Sequence, residues 1–344
     1  MKRAVLATGL SLVCALPAHA LDPDVNLSGT FGLSLSWLKN NSPGNEFTDF
    51  DVENNGSNFR ITASTQELGI RTFVAYERGA SNDQLNVEDV REFFGGVSGK
   101  YGTVLYGRKA TDYRLAGERL DPFYNTSVAF GYGAASNGYF ASEGASYGLS
   151  NLTNGYASNT VSLRSPSWAG VTVNAAGYIN DNRSNVGVGD EPDYAAGVGY
   201  ANSDWLNLDV GIQAIDVNGF VVPNTATLGE LNAYRVHASV GEKLWAVGTS
   251  IELIDVAAEA DPRKYAFVAG SYQLLEDLRL ALAVGNIADS PSFDGTGTTF
   301  GAFYDVTKNL GSYAAVRYVQ LTNGTENKTT TASVGVKFVF DVDL

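Results

Sequence analysis

From Val25 onward, apolar side chains fall on alternate positions: Val25, Leu27, Phe31, Leu33, Leu35 and Trp37 are interleaved with Asn26, Ser28, Thr30, Ser34 and Ser36. Successive side chains of an extended strand point to opposite sides, so a period of two marks a strand with one apolar and one polar face. The pattern recurs to the end of the chain, as in Leu206, Leu208, Val210 and Ile212, in Leu278, Leu280, Leu282 and Val284, and in Val334, Val336, Phe338 and Phe340. Sixteen such segments can be delimited, near 25–38, 57–66, 68–78, 89–99, 102–109, 157–165, 169–180, 193–202, 204–216, 231–241, 243–255, 263–274, 277–287, 298–307, 310–321 and 330–340.

The connections alternate in length. Short turns fall at Glu67-Leu68, Lys100-Tyr101, Pro166-Ser167-Trp168, Ser203-Asp204, Glu242-Lys243, Glu276-Asp277 and Lys308-Asn309. Polar loops at 39–56, 79–88, 110–156, 181–192, 217–230, 256–262, 288–297 and 322–329 separate them. This predicts an all-β, up-and-down antiparallel barrel of sixteen strands with both ends on the short-turn side. About ten residues at ~3.3 Å each, tilted by about 40°, span roughly 25 Å, the height of the apolar band of a transmembrane barrel. An unpaired backbone amide in hydrocarbon costs several kcal/mol, so segment 330–340 is expected to pair with segment 25–38.

Only 44% of the chain is hydrophobic, with 38 Gly, 18 Tyr and 17 Phe, which is little for a dry core of this size. A wet interior removes the difficulty, because only outward positions need be apolar. Residues 1–20 form a separate unit: Lys2 and Arg3, an apolar stretch from Ala4 to Leu16, then Pro17 and Ala18-His19-Ala20. This reads as a secretory signal cut before Leu21, leaving 21–344 as a single barrel domain. No segment approaches the roughly 18 apolar residues of a membrane helix.

Met1, Cys14 and His19 leave with the signal, so the mature chain has no Cys and one His, His237. Thiol chemistry and Cys/His metal sites are thereby excluded, and no cofactor is expected. Loss of Lys2 and Arg3 takes the formal net charge from −14 to −16. Nucleic acid is an unsuitable partner for such a surface, because phosphate binding needs a basic patch. The run Asp49-Phe50-Asp51-Val52-Glu53 has carboxylates at alternate positions, but Asn54 and Arg60 stand where a calcium loop has Gly and Glu. His237 shares the polar face with Arg235 and Ser239 and has no nucleophile motif, so no enzyme is expected. Trp37, Tyr76, Tyr178, Tyr200, Trp205, Trp245, Tyr272 and Tyr318 lie toward strand ends, as interfacial aromatic girdles do.

Three stretches carry a family resemblance: VREFFGGVSGKYGTVLYGRKAT at 90–111, DPF at 121–123 and NTVSLRSPSWAGVTVNAAGY at 159–178. They resemble the Gram-negative general porins, the trimeric sixteen-stranded kind, and the similarity spans nearly the whole mature chain. The resemblance implies an outer-membrane channel for passive diffusion of small hydrophilic solutes and ions. The expected surroundings are membrane lipid, lipopolysaccharide, two further copies of the chain and the barrel-assembly machinery. It also implies that the third loop, here 110–156 and the longest, folds into the lumen and narrows it.

In that family, arginines on the wall face acidic residues on the third loop. Arg108 occupies the matching position of YGRKAT, while Asn58 and Ser162 stand where arginines are usual. Arg60 and Arg164, two residues further on and on the same face, are displaced equivalents. Asp112, Glu118, Asp121 and Glu143 are the loop candidates, each otherwise a solvated loop charge. The family's usual final Phe is replaced by Asp341-Val342-Asp343-Leu344 after Phe340. Two other readings remain: a substrate-preferring channel of the same fold, and a structural or adhesive barrel with a blocked lumen. The total charge leans toward cation preference, whereas wall arginines at the narrow point would favour anions.

Overall fold

In a computed structural model of the chain, the described residues are 23–79, 90–129, 156–179, 193–203, 206–221, 228–257, 259–290, 294–323 and 325–344. The strands are β1 (Asp24–Ser42), β2 (Asn45–Asn54), β3 (Asn58–Glu67), β4 (Ile70–Gly79), β5 (Val90–Gly99), β6 (Gly102–Ala110), β7 (Tyr156–Arg164), β8 (Val171–Tyr178) and β9 (Asp193–Asn202). They continue as β10 (Leu208–Val221), β11 (Leu228–Gly241), β12 (Trp245–Val256), β13 (Arg263–Gln273), β14 (Leu278–Ala288), β15 (Asp294–Asp305), β16 (Leu310–Asn323) and β17 (Thr325–Asp343). One short helix, α1 (Asp112–Glu118), follows β6.

Apart from β2 and β3, which do not pair with each other, every strand pairs antiparallel with its sequence neighbour, and β17 closes on β1 from Asn26↔Asp343 to Asn40↔Thr329. The closing pair is the one that membrane burial of backbone demands. The far edge of β1 is shared, with Asp24–Thr30 facing β3 and Leu33–Ser42 facing β2. Strands β2 and β3 are thus two pieces of a single stave, and the barrel has sixteen staves. The ladder is carried across their break by Asn55 N to Gly32 O at 2.9 Å and by the Ser57 hydroxyl, which meets Gly32 N at 3.0 Å.

Alternation sorts the two faces. On β12, Ile251 is 61% exposed on the outer face while its neighbour Glu252 is fully buried inside. Phe31, Val236, Phe300 and Val334 are exposed in the same outward sense. An apolar band of this kind is stable only against lipid. The tight turns use left-handed backbone where two-residue hairpins need it, at Leu68-Gly69 and Ala169-Gly170.

Three polar loops expected from sequence are largely strand. The region 39–56 contains the end of β1 and all of β2, the region 322–329 is occupied by β16 and β17, and β10 and β11 extend to Val221 and from Leu228. Beyond the bilayer both faces are wet, so backbone pairing continues after the apolar alternation that betrays it has ended. Tyr178, expected in an interfacial girdle, instead turns inward and is 2% exposed, because it shares a face with Thr172 and Asn174. Trp205 lies outside the described residues.

Candidate functional site: the channel interior

Segment 111–129 lies inside the barrel, and the wall is built to receive it. The Thr111 hydroxyl accepts from Arg114 N at 3.1 Å and starts α1. Tyr113 is fully buried, its hydroxyl 2.9 Å from Glu252 Oε1 and its carbonyl accepting from Arg235 Nη1 at 2.6 Å. Arg235 also pairs with Glu252 at 3.0 Å, and its guanidinium lies 4.5 Å from the Tyr113 ring centroid. Both charges are wholly removed from water, which is tolerable only because each is paired and hydrogen-bonded.

Arg114 forms an ion pair with Glu118, contacts the Tyr124 hydroxyl at 3.2 Å and stacks 4.3 Å from the Tyr156 ring centroid. Burial opposes its charge, but Glu118 prevails and raises the guanidinium above its ordinary range. Burial, reinforced by Glu118, raises the Tyr124 phenol, which therefore stays neutral and donates to Glu118 at 2.8 Å. Further along, Arg119 reaches Asp209 at 3.0 Å and His237 Nε2 at 3.0 Å, and His237 Nε2 lies 3.2 Å from Asp209.

Phe123 is fully buried, with its ring 5.6 Å from that of Phe303. A Cβ at Gly301 would come within 2.8 Å of the Phe123 ring, so the wall at that point has no room for a side chain. Ser127 bonds to Ser36 on β1 at 2.9 Å and to Ser333 on β17 at 2.6 Å. The Thr299 hydroxyl and Arg317 donate to the carbonyls of Val128 and Ala129 at 3.3 and 2.9 Å. Backbone that has left the ladder is thus satisfied by inward side chains, as burial requires. Apart from the Arg114 stack on Tyr156 at the loop end of β7, the segment lines the wall from β8 round to β1 and leaves β3–β7 as the facing wall.

On that wall, Arg60 pairs with Glu77 at 3.1 Å and Glu92 at 2.5 Å and lies 5.6 Å from the Phe94 ring centroid. Arg91 approaches Glu77 at 3.8 Å, so two cations and two carboxylates form one group. Arg164 faces inward at the short-turn end of β7, on the side opposite the outward Leu163. Arg108 stands opposite the lipid-facing Phe93, beside a register shift at Gly107. Its guanidinium stitches strand ends together, donating to the carbonyls of Val90 at 2.9 Å and Tyr156 at 3.1 Å and to the Ser158 hydroxyl at 2.9 Å.

The loop carboxylates are engaged locally. Asp112 accepts from Lys109 at 3.1 Å and Asn174 at 3.4 Å, Glu118 holds Arg114, and Asp121 is buried and caps Phe123 N at 2.9 Å. None of these three forms an ion pair with Arg60, Arg164 or Arg108 among the described residues, and Glu143 lies outside them. Sequence reasoning missed Arg235 with Glu252, Arg119 with Asp209, and Lys109. The first pair had a signal: register counted outward from the short turn after Gly241 brings Arg235 opposite Glu252.

Two cavities open on the short-turn side of segment 119–126. One, of about 330 Å³, has Arg119, Pro122, Asn207 and Glu242 among its lining; the other, of about 260 Å³, has Pro122, Tyr124, Arg279 and Lys337. Among the described residues, no cluster of His, Cys, Asp or Glu is arranged to hold a metal ion, and no helix is long and apolar enough to cross a membrane.

A closed barrel with an apolar outer band, a polar interior and a loop folded across it defines an outer-membrane β-barrel channel. The model of the Gram-negative porins matches residues 4–324, and the chain belongs to that family. It forms a passive-diffusion channel in the outer membrane. Among solved structures, an anion-selective porin from Comamonas acidovorans is similar at TM-score 0.74 and 15% identity, covering 93% of this chain and 100% of that one. OmpT of Vibrio cholerae, in a trimer form, is similar at TM-score 0.65 and 15% identity over 92% and 99%. The outer-membrane channel DcaP of Acinetobacter baumannii is similar at TM-score 0.65 and 11% identity over 92% and 97%. No curated protein matches the chain.

Proposed function

We propose that the chain loses residues 1–20 on export and works as a homotrimer of barrels, conducting small hydrophilic solutes and ions without catalysing a reaction. The barrel-assembly machinery inserts it, and lipid with lipopolysaccharide covers its outer face. The passage runs between segment 111–129 and the wall of β3–β7. Arg60 and Arg164 border it on the wall, Asp112, Glu118 and Asp121 belong to the opposing shelf, and Arg108 braces the mouth.

The observation that carries this reading is the fixing of segment 111–129 by buried polar contacts such as Arg235 to Tyr113 O at 2.6 Å. A loop held this way narrows a pore permanently and leaves selection to size and charge. Trimer formation is supported by the family and by the trimer form reported for the Vibrio cholerae OmpT. A purely conducting role is supported by the engagement of His237, the single mature histidine, with Asp209 and Arg119.

Ion preference follows the local field and not the formal −16 of the barrel without residues 1–20, because charges more than about 8 Å from a permeating ion are screened at physiological salt. Inward Arg164, Arg279 and Lys337 have no ion pair among the described residues, which favours a modest anion preference. The test is planar-bilayer recording from detergent-purified protein across a salt gradient. Stepwise conductance closing in three levels, with a reversal potential of anion-selective sign, is expected. Silent bilayers from folded protein would leave the blocked barrel as the correct reading.

A further inference from the structure

We propose that the cavity between Arg279 and Lys337 is a docking site for a small multivalent oxyanion, a dicarboxylate or a phosphate, on the short-turn side of the constriction, the periplasmic side in barrels of this kind. The inference rests on the channel reading above and deepens it. Arg279 of β14 and Lys337 of β17 both face inward, since Leu280, Val336 and Phe338 occupy the alternate outward positions. They line the same cavity of about 260 Å³ and are near enough to repel each other. Strands β15 and β16 lie between them in the sheet, so the two side chains approach from separate staves and leave a gap for a ligand.

Neither cation has an ion pair or a hydrogen bond among the described residues. By contrast, Arg60, Lys109, Arg114, Arg119 and Arg235 each hold a carboxylate. Arg279 is held at one face by the Phe303 ring, its guanidinium carbon 4.5 Å from the centroid. Stacking fixes the plane and leaves the N–H edge, the fork that matches a carboxylate or phosphate, without an acceptor. Three cations, Arg279, Lys308 and Lys337, line the cavity against one carboxylate, Asp305, which attracts Arg279 from beyond ion-pair distance and leaves the cations in excess. Segment 122–126 roofs the site, so a solute that has passed the constriction meets it on the way out.

Two like charges confined at the edge of a cavity are stabilised by a multivalent anion between them more than by chloride. The site therefore slows such solutes and sets a preference among anions. The test uses single-channel recording in potassium chloride with succinate or inorganic phosphate added on the short-turn side. The expected result is a saturable fall in current with at least one of the two. The half-blocking concentration should rise by at least about tenfold in R279Q/K337Q, which loses two charge-assisted contacts. R71Q, which removes an inward cation from β4 on the facing wall, should block as the native chain does.

Block by phosphate alone would assign the site to compact phosphates, and block by succinate alone to dicarboxylates. Undiminished current with both probes, or equal block in the double variant, would overturn the site while the chloride current upheld the channel. Absence of any chloride current would instead overturn the channel reading itself. If the double variant fails to insert, K337Q at its exposed position must weaken the block by itself, and unchanged block there overturns the proposal.

Discussion

Arg235 and Tyr113 are joined twice, by a 2.6 Å hydrogen bond from the guanidinium to the tyrosine carbonyl and by a stack of guanidinium on ring at 4.5 Å. One residue belongs to a wall strand and the other to the first turn of the infolded helix. The contact therefore transmits the rigidity of the sheet to the loop that narrows it.

Removing the partner of that arginine tests how firmly the loop is held. In E252L the Arg235 charge stays buried without its carboxylate, a loss worth roughly 3–5 kcal/mol in comparable pairs. Urea unfolding followed by gel mobility should show destabilisation of that order, and open-channel noise should rise as α1 loosens. R235L/E252L should lose less than E252L alone, because no buried charge is stranded.

The second anchor is apolar. Phe123 is fully buried against Phe303, so F123A leaves a cavity and should cost about 3–5 kcal/mol if the segment stays in place. A segment that swings away from the wall instead avoids part of that cost. Unfolding midpoints report the first outcome, and a larger single-channel conductance reports the second.

The barrel itself was legible because lipid on one side and water on the other impose alternation on each membrane stretch. Closure of β1 on β17 followed from the same physics. Strand β2 was not legible, because Asp49, Asp51 and Glu53 share one of its faces and read as a solvated loop. Helix α1 is seven residues long, under two turns, and shows no period that a sequence could display. The partners of Arg119, Phe123 and Ser127 depend on which wall the segment meets, and that is decided by three-dimensional closure, not by local pattern. Arg60 and Arg164 were readable as inward by parity, whereas the register shift at Gly107 disrupts the parity that would place Arg108.

Charge on the facing wall should tune selectivity without unfolding the protein. Glu92 accepts from Ala110 N at 3.0 Å through one oxygen and pairs with Arg60 through the other. E92Q keeps an acceptor for the amide and removes the charge, leaving Arg60 and Arg91 against Glu77 alone. The reversal potential in a potassium chloride gradient should move toward the anion-selective side, and gel mobility should stay native. A shift toward cations would mean that permeating ions do not sense this wall.

The last prediction concerns closure. Strand β17 pairs with β16 on one edge and β1 on the other. Deleting residues 332–344 strips partners from Asn26 through Trp37 on β1 and from Leu310 through Val316 on β16. Each unpaired amide in hydrocarbon costs several kcal/mol, far more than the few kcal/mol by which a folded chain is stable. The truncated protein should neither gain heat-modifiable gel mobility nor insert into bilayers. Deleting residues 342–344 should be tolerated, because it removes only the outermost pairs, Asn26↔Asp343 and Leu27↔Val342, a 3.1 Å bond from Asn26 to Asp343 and the 2.8 Å backbone bond from Leu344 N to Val25 O. Asn26 keeps its bond to Asp341, and Phe340 stays opposite Gly29, so the closing ladder still crosses the apolar band. Conductance from the longer deletion would mean that β1 and β16 can meet directly in a fifteen-stave barrel. Such a barrel would join its end staves in parallel, with slanted bonds and a changed register, and a native-like current from it would refute this account of closure.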